Sequence, residues 1–285
     1  MSLAYEKNEL RKIQKCMTLA LEEFDRICTE LNLRYVVYSG TAIGAVRHKG
    51  FIPWDDDVDV CMPREDYDLF FKKAGTVIDD KFTVLDSSLD PDYPRPFGVL
   101  GFKDSVFIPG IAENRTYPMP LGIDVFPFDS IPSNEQQYKK KVRKTWVWGR
   151  LFYLLGTPKV TLDIKGPKRF LIDSALHTIH WSLRLGRVKP FTIYKNWLKA
   201  AELFNDSSST WLGSFSEQDP KRWSAHMDEM FPASRVPFED ITVMLPKDYD
   251  SILTRQYGTY MEIPPEHEQV NHFASTVVYG PNVPL

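Results

Sequence analysis

Four carboxylates within five residues, Asp55-Asp56-Asp57-Val58-Asp59, stand between Trp54 and the apolar run Val60-Cys61-Met62. No other feature restricts the chain as much, because acids this close in an apolar context repel one another unless a positive charge lies among them. In an extended strand, side chains two residues apart share a face and lie about 6–7 Å apart. Asp57 and Asp59 then project together, Asp55 joins them if the strand reaches back that far, and Asp56 points the other way. Oxygen ligands with neither His nor Cys among them favour Mg²⁺ or Mn²⁺. A two-carboxylate Mg²⁺ site leaves positions open for water and substrate phosphates. The plain alternative is a solvated acidic turn, but such turns seldom run straight into a Val-Asp-Val-Cys strand.

A further acid extends the pattern. Asp124 interrupts the apolar stretch Leu121-Gly122-Ile123-Asp124-Val125-Phe126, and a lone carboxylate inside an apolar strand is costly without a partner. A metal shared with Asp57 and Asp59 would be one partner, a buried arginine another. The candidate metal set is therefore Asp57, Asp59 and Asp124. Upstream, Arg34–Tyr38 is short, aromatic and β-branched, as a buried strand is. Ser39-Gly40-Thr41 breaks it and opens a short helix, so its N–H groups and hydroxyls suit phosphate oxygens. Arg47, His48 and Lys49 close that helix. Each is a candidate phosphate contact, and neutralising the acids is an equal alternative.

These segments resemble the signature of a known family. The stretch YVVYSGTAIGAVRHKGFIPWDDDVDVCMPREDY (35–67), then LGIDVFPFD (121–129), and more loosely LPKDYDSILTRQYGTYMEIPPEHEQVNH (245–272), are similar to the LicD family, which includes fukutin and the fukutin-related protein. The resemblance implies a nucleotidyltransferase-type fold and transfer of a phospho-alcohol from a CDP-activated donor to a hydroxyl of a cell-surface glycan or its lipid-linked precursor. Bacterial members typically move phosphocholine, and the animal members ribitol phosphate. The family's acids fall on Asp55, Asp57, Asp59 and Asp124, its phosphate-side turn on Ser39, Gly40 and Thr41, its basic positions on Arg47 and Arg64, and a histidine near His272. A glycan hydroxyl is a weak nucleophile and needs a base, for which Asp124 and Asp55 are the candidates. The same carboxylates would serve a nucleotidyltransferase that takes a nucleoside monophosphate from a triphosphate. A non-catalytic ion- or glycan-binding module has less use for the full set.

Charge divides the chain. Residues 139–199 hold fifteen Lys or Arg against Asp163 and Asp173, about +13 in a chain of net −3, which leaves about −16 elsewhere. Nine aromatics, from Trp146 to Trp197, interleave with the cations. Such a segment suits an anionic membrane surface or a lipid-linked diphosphate acceptor, with Lys139, Lys140, Lys141, Arg143 and Lys144 as the first candidates. A packed layer that complements the acidic remainder is the rival reading. No nucleic-acid-binding module is recognisable.

Three scattered cysteines give no disulfide framework and no metal-type spacing. The charged start MSLAYEKNELRKIQK lacks the apolar region of a secretory signal, and no run approaches the ~18 apolar residues of a spanning helix. The expectation is a cytoplasmic protein, peripheral at the membrane's inner face.

Apolar residues at Leu10, Ile13, Met17, Leu21, Phe24, Cys28 and Leu31 predict an amphipathic first helix. Strands are predicted over 57–62, 82–85, 97–102 and 121–126, helices over most of 135–203, and a last helix over 247–257 ended by Gly258. The expected fold is α/β (α+β): a mixed sheet with packed helices in residues 1–130, a basic helical insertion at 131–203, and a C-terminal module at 204–285 that completes the site.

Overall fold

The computed structural model describes residues 5–115, 117–158, 160, 166–205 and 209–284. Helix α1, Lys7–Glu30, forms as its periodicity predicts. Its inner face carries Ile13, Leu21, Phe24 and Ile27, all fully buried, each contributing about 1.5–3 kcal/mol by leaving water. The chain leaves the helix at Asn32 in the left-handed region (φ 53°). It then enters β1 (Val36–Val37), α2 (Ser39–Arg47), β2 (Asp59–Pro63), α3 (Arg64–Lys73), β3 (Phe82–Leu85), β4 (Gly98–Phe102), β5 (Val106–Pro109) and β6 (Gly122–Ser130). Helices α4 (Glu135–Gly156), α5 (Pro167–Leu185) and α6 (Pro190–Ala201) follow. The last part holds β7 (Trp211–Gly213), β8 (Ser224–His226), α7 (Met227–Met230), β9 (Ser234–Phe238), β10 (Ile241–Leu245), α8 (Tyr249–Tyr257) and β11 (Ala274–Val278).

The main sheet has the order β1-β2-β6-β4-β3 and is mixed, with β2 parallel to β6 and the other pairs antiparallel. The protein is thus of the expected α/β class. The central strand β6 runs on beyond this sheet to pair with β7, which pairs with β8. No helix among the described residues is long and apolar enough to cross a membrane.

Local sequence explains several element ends. The Asn134 side chain accepts from the N–H groups of Gln136 and Gln137 and starts α4. Asp248 caps α8 through the Ser251 N–H. Gly258 follows α8 with φ 70°, where a side chain would be strained.

Packing ties the segments together. The principal core joins α1, β2 and β6 to Phe238, Val243, Leu253 and Ala274, so the C-terminal third shares the core of the first. The helical segment has a smaller core of its own, built on Phe152, Leu155, Ile193, Tyr194 and Trp197, and closed from the flanks by Ile131 and Phe215.

A buried polar network bolts α4 to the end of β6. The guanidinium of Arg64 donates to both oxygens of Asp129 (2.9 and 2.7 Å), and Asn205 Nδ2 donates to Asp129 Oδ1 at 2.7 Å. Lys141 Nζ donates to the Asn205 side-chain oxygen (2.9 Å) and to the Ser130 carbonyl (2.7 Å). Burial pulls the Lys141 ammonium down to about 8. Lys141 is therefore not part of the exposed cationic surface; it belongs to the interior. Changing Arg64 to Met would leave the fully buried Asp129 carboxylate without its cation. The expected loss is about 3–5 kcal/mol in urea unfolding, with divalent-ion affinity of the folded protein unchanged.

Candidate active site

The acidic run alternates in burial although β2 begins only at Asp59, two residues after the predicted start at 57. Asp55, Asp57 and Asp59 are half-buried on one side, while Asp56, Val58 and Val60 are buried on the other. Asp56 points inward and is bound there: Tyr5 Oη donates to it at 2.7 Å and the His272 N–H at 2.8 Å. These bonds fasten both ends of the chain to the acidic loop. Gln14 Nε2 donates to the Asp55 carbonyl at 2.9 Å and pins the same loop to α1.

Strand pairing brings Asp124 to the cluster. Asp59 is the direct partner of Asp124 in the parallel β2–β6 ladder, and the Asp124 N–H donates to the Val58 carbonyl at 2.9 Å. Directly paired residues present their side chains to one face of a sheet. Burial, then Asp57, Asp124, Asp55 and Glu217, push the Asp59 carboxyl well above its ordinary range. Burial and Asp57 do the same to Asp55.

Asp124 has the arginine partner that was the alternative to a metal. Arg95 Nη1 donates to its two oxygens at 2.9 and 3.0 Å, and its guanidinium lies over the Phe97 ring. Burial still raises the Asp124 carboxyl, with Arg95 opposing.

The turn before α2 is tightly committed. Ser39 adopts φ 52° and its hydroxyl lies 2.5 Å from Tyr257 Oη. Thr41 Oγ1 accepts from the Asp59 N–H at 2.9 Å and so fixes where β2 begins. A Cβ on Gly40 would stand 2.9 Å from Asp55 Oδ2. Glycine there lets the Asp55 carboxylate rest against the positive end of α2, the place where a phosphate was expected.

The basic candidates mostly lie elsewhere. Arg47 is at the far end of α2 and donates to the carbonyls of Tyr260 (2.6 Å) and Glu262 (3.0 Å). Lys49 is exposed beyond it, with about 12 Å of helix separating that end from Ser39. Arg64 is at the opposite end of β2 from Asp59, about 16 Å along the strand, and is held by Asp129. Of the cationic candidates, His272 alone joins the acids. Its Nδ1 lies 3.3 Å from Asp57 and 3.6 Å from Asp56. The Asp56 side chain first, then Asp57 and Asp124, raise its imidazole to about 9 against the opposing effect of burial.

Asp57, Asp124 and His272 line a cavity of about 380 Å³, within the range of small-molecule sites. Its other wall is α4, through Trp146, Arg150 and Tyr153. Arg95, Arg115 and Arg150 all line it, and each guanidinium lies over an aromatic ring: Phe97, Tyr153 and Trp146 respectively. Glu217 completes the rim, its carboxyl raised by burial. Arg95, Arg115 and Glu217 belong to no motif of the sequence, Tyr257 lies unremarked in the looser stretch 245–272, and Arg150 stood out only as one of the fifteen cations of 139–199. The one available signal was Pro94-Arg95-Pro96, a cation whose backbone two prolines stiffen just before a buried strand.

Among the described residues, no three His, Cys, Asp or Glu side chains stand close enough to hold one ion as they are. The donors still suit a hard divalent cation. Asp57 and Asp59 share a face, their crowding disfavours ionisation of Asp59, and a two-carboxylate site completed by substrate phosphates needs no third protein ligand. Asp124 stands beside that pair as the strand partner of Asp59, with its carboxylate bonded to Arg95.

Comparison with known proteins shows what the chain is similar to. The family model described as LicD/FKTN/FKRP, nucleotidyltransferase domain, matches residues 32–150. The chain is similar to the lipopolysaccharide cholinephosphotransferase LicD of Haemophilus influenzae, 24% identical over 280 residues, covering 94% of this chain and 97% of that protein. An uncharacterised protein of Rickettsia typhi is 44% identical over 223 residues, covering 65% of this chain and 63% of its own length. The human ribitol 5-phosphate transferase FKRP is 33% identical over 95 residues, 30% of this chain and 19% of that protein. The matched span 32–150 contains the acidic loop, Arg95, Asp124 and most of α4, which line the cavity, and over that span the chain carries the nucleotidyltransferase domain of the LicD family.

Proposed function

We propose that the protein transfers a phospho-alcohol from a CDP-activated donor to a hydroxyl of a cell-surface glycan or its lipid-linked precursor. The observation that carries this reading is one cavity with Asp57 and Asp124 on its floor and Arg95, Arg115 and Arg150 around it. Acids for a cation and a base meet cations for a diphosphate there, the two requirements of phosphoryl-type transfer. The relatives named as cholinephosphotransferase and ribitol 5-phosphate transferase favour this chemistry, and the near full-length one makes phosphocholine the first group to test.

Asp57 and Asp59 would hold Mg²⁺ or Mn²⁺, which when bound offsets charge on the donor phosphates and on the leaving cytidylate. Arg115 and Arg150 bind phosphate oxygens and orient the donor. Asp124 is the base in this reading. It lines the cavity, whereas Asp55 lies against α2, and Arg95 holds its carboxylate in a fixed direction. The acceptor hydroxyl gives its proton to Asp124 as its oxygen bonds to the β-phosphorus of the donor. The bond from that phosphorus to the bridging oxygen breaks, and CMP departs.

The test is release of CMP from a panel of CDP-alcohols, including CDP-choline and CDP-ribitol, with a glycan acceptor and with or without Mg²⁺. CMP is expected from at least one donor and only with the divalent ion. Pyrophosphate released from a nucleoside triphosphate, with no CMP from any CDP-alcohol, would assign the site to nucleotidyl transfer instead.

A further inference from the structure

Helix α5 leaves most of its surface uncovered. Phe170, Leu171, Trp181 and Leu185 are 74, 68, 49 and 79% exposed, a concentration of bare apolar side chains unmatched elsewhere among the described residues. Scattered exposed apolar residues are ordinary on a protein surface, whereas a contiguous patch marks a contact.

These four are contiguous. At 3.6 residues per turn they fall within an arc of about 100° on the helix, with only Ser174 and Thr178 between them. That arc faces away from the body, because the opposite side makes the contacts inward. His180 there is buried and its Nδ1 lies 2.8 Å from the Leu154 carbonyl of α4, and Asp173, paired with Arg169, is on the same inner side.

The charges say what covers the arc. It contains no acid or base, and Lys168 and Arg184 border its two sides, with Arg187 and Lys189 just beyond the helix. All four cations are exposed. A second copy docked face to face by a two-fold axis would set these cations against their own equivalents. An anionic, apolar partner accepts both the cations and the arc.

We propose that the outward face of α5 docks into the surface of an anionic lipid bilayer, the helix lying in the plane with Phe170, Leu171, Trp181 and Leu185 below the headgroups. The apolar contact is then this helix; of the α4 cluster Lys141 is interior, while Lys139, Lys140, Arg143 and Lys144 stay exposed. Docking is independent of the transferase reading, since vesicle binding is read with no donor or acceptor. If that reading holds, docking brings the α4 wall of the cavity toward acceptors carried on lipid.

The experiment is flotation of the full chain with vesicles of phosphatidylcholine alone or with about one-third phosphatidylglycerol, at low and high salt. A second arm uses the combined variant Phe170→Ser, Leu171→Gln, Trp181→Ser and Leu185→Gln, all exposed positions, with folding checked by thermal melting. A third attaches an environment-sensitive dye to Ser174→Cys, with Lys247→Cys as control; the native Cys16, Cys28 and Cys61 are buried, and wild type carried through the same labelling gives the background. Wild type is expected to float with the anionic vesicles and to be released by salt. The variant should lose at least about tenfold in partitioning, and the dye at 174, not at 247, should shift to the blue. No flotation of wild type on anionic vesicles at low salt would overturn the proposal, as would unchanged flotation of the variant or a silent dye at 174. A wild type that forms dimers in sedimentation and ignores vesicles, beside a monomeric variant, would make the face a contact between copies and overturn it too.

Discussion

Asp59→Ala is expected to abolish turnover, and Asp57→Ala to do the same. A bound cation contributes several kcal/mol to stabilising charge in such a transition state, and each ~1.4 kcal/mol is a factor of ten in rate. The loss should therefore reach about 10³-fold or more, with loss of Mg²⁺ binding by calorimetry. Asp59→Asn adds a readout that a structural role would not give. Burial and the neighbouring acids hold the folded-state carboxyl above its unfolded value. The folded chain then binds the extra proton, so this group's stabilisation is present at low pH and is lost as pH rises through the raised value. At neutral pH this carboxyl therefore costs stability, and the amide removes that cost. The metal-free Asn variant should melt higher than wild type, by about 2–4 °C for each kcal/mol relieved, and Mg²⁺ should raise the melting temperature of wild type alone. Wild-type activity in either alanine variant would end the assignment of these two acids. A lower melting temperature for Asp59→Asn would mean the carboxylate is a structural partner.

Asp124→Asn should lower kcat by at least about 10²-fold, the low end of what a positioned proton acceptor contributes, with the fold and Mg²⁺ affinity little changed. The amide has nearly the same shape and no basic oxygen, and it weakens the bond to Arg95 without emptying the space. A fall in kcat at unchanged KM fits a group that acts in the transition state. A fall in Mg²⁺ affinity of similar size would make Asp124 a ligand. A variant within a few-fold of wild type would leave it as the structural partner of Arg95 and nothing more.

Alternation along 55–60 was legible in the sequence as a local pattern of period two, although only 59 and 60 of these residues belong to β2. It assigned Asp55, Asp57 and Asp59 to one face and Asp56 to the other, and the structure keeps that division. The apolar stripe of α1, strand β3 and the glycine that ends α8 were legible for the same reason: spacing and backbone preference are local properties. Strand β5 was missed, because its partner β11 lies over 160 residues away and only that pairing makes it a strand. The cationic candidates divided similarly. Arg47, Arg64 and His272 are alike as sequence, yet one bonds carbonyls near residue 260, one is buried against Asp129, and one stands beside Asp57. Arg95, Arg115 and Arg150 joined the acids only when the sheet and α4 closed around a shared cavity. The sequence by itself determined which side chains carry charge and which face of their own element they take. Tertiary structure alone decided their partners, because a charge in a folded chain is placed by whichever distant groups relieve its burial.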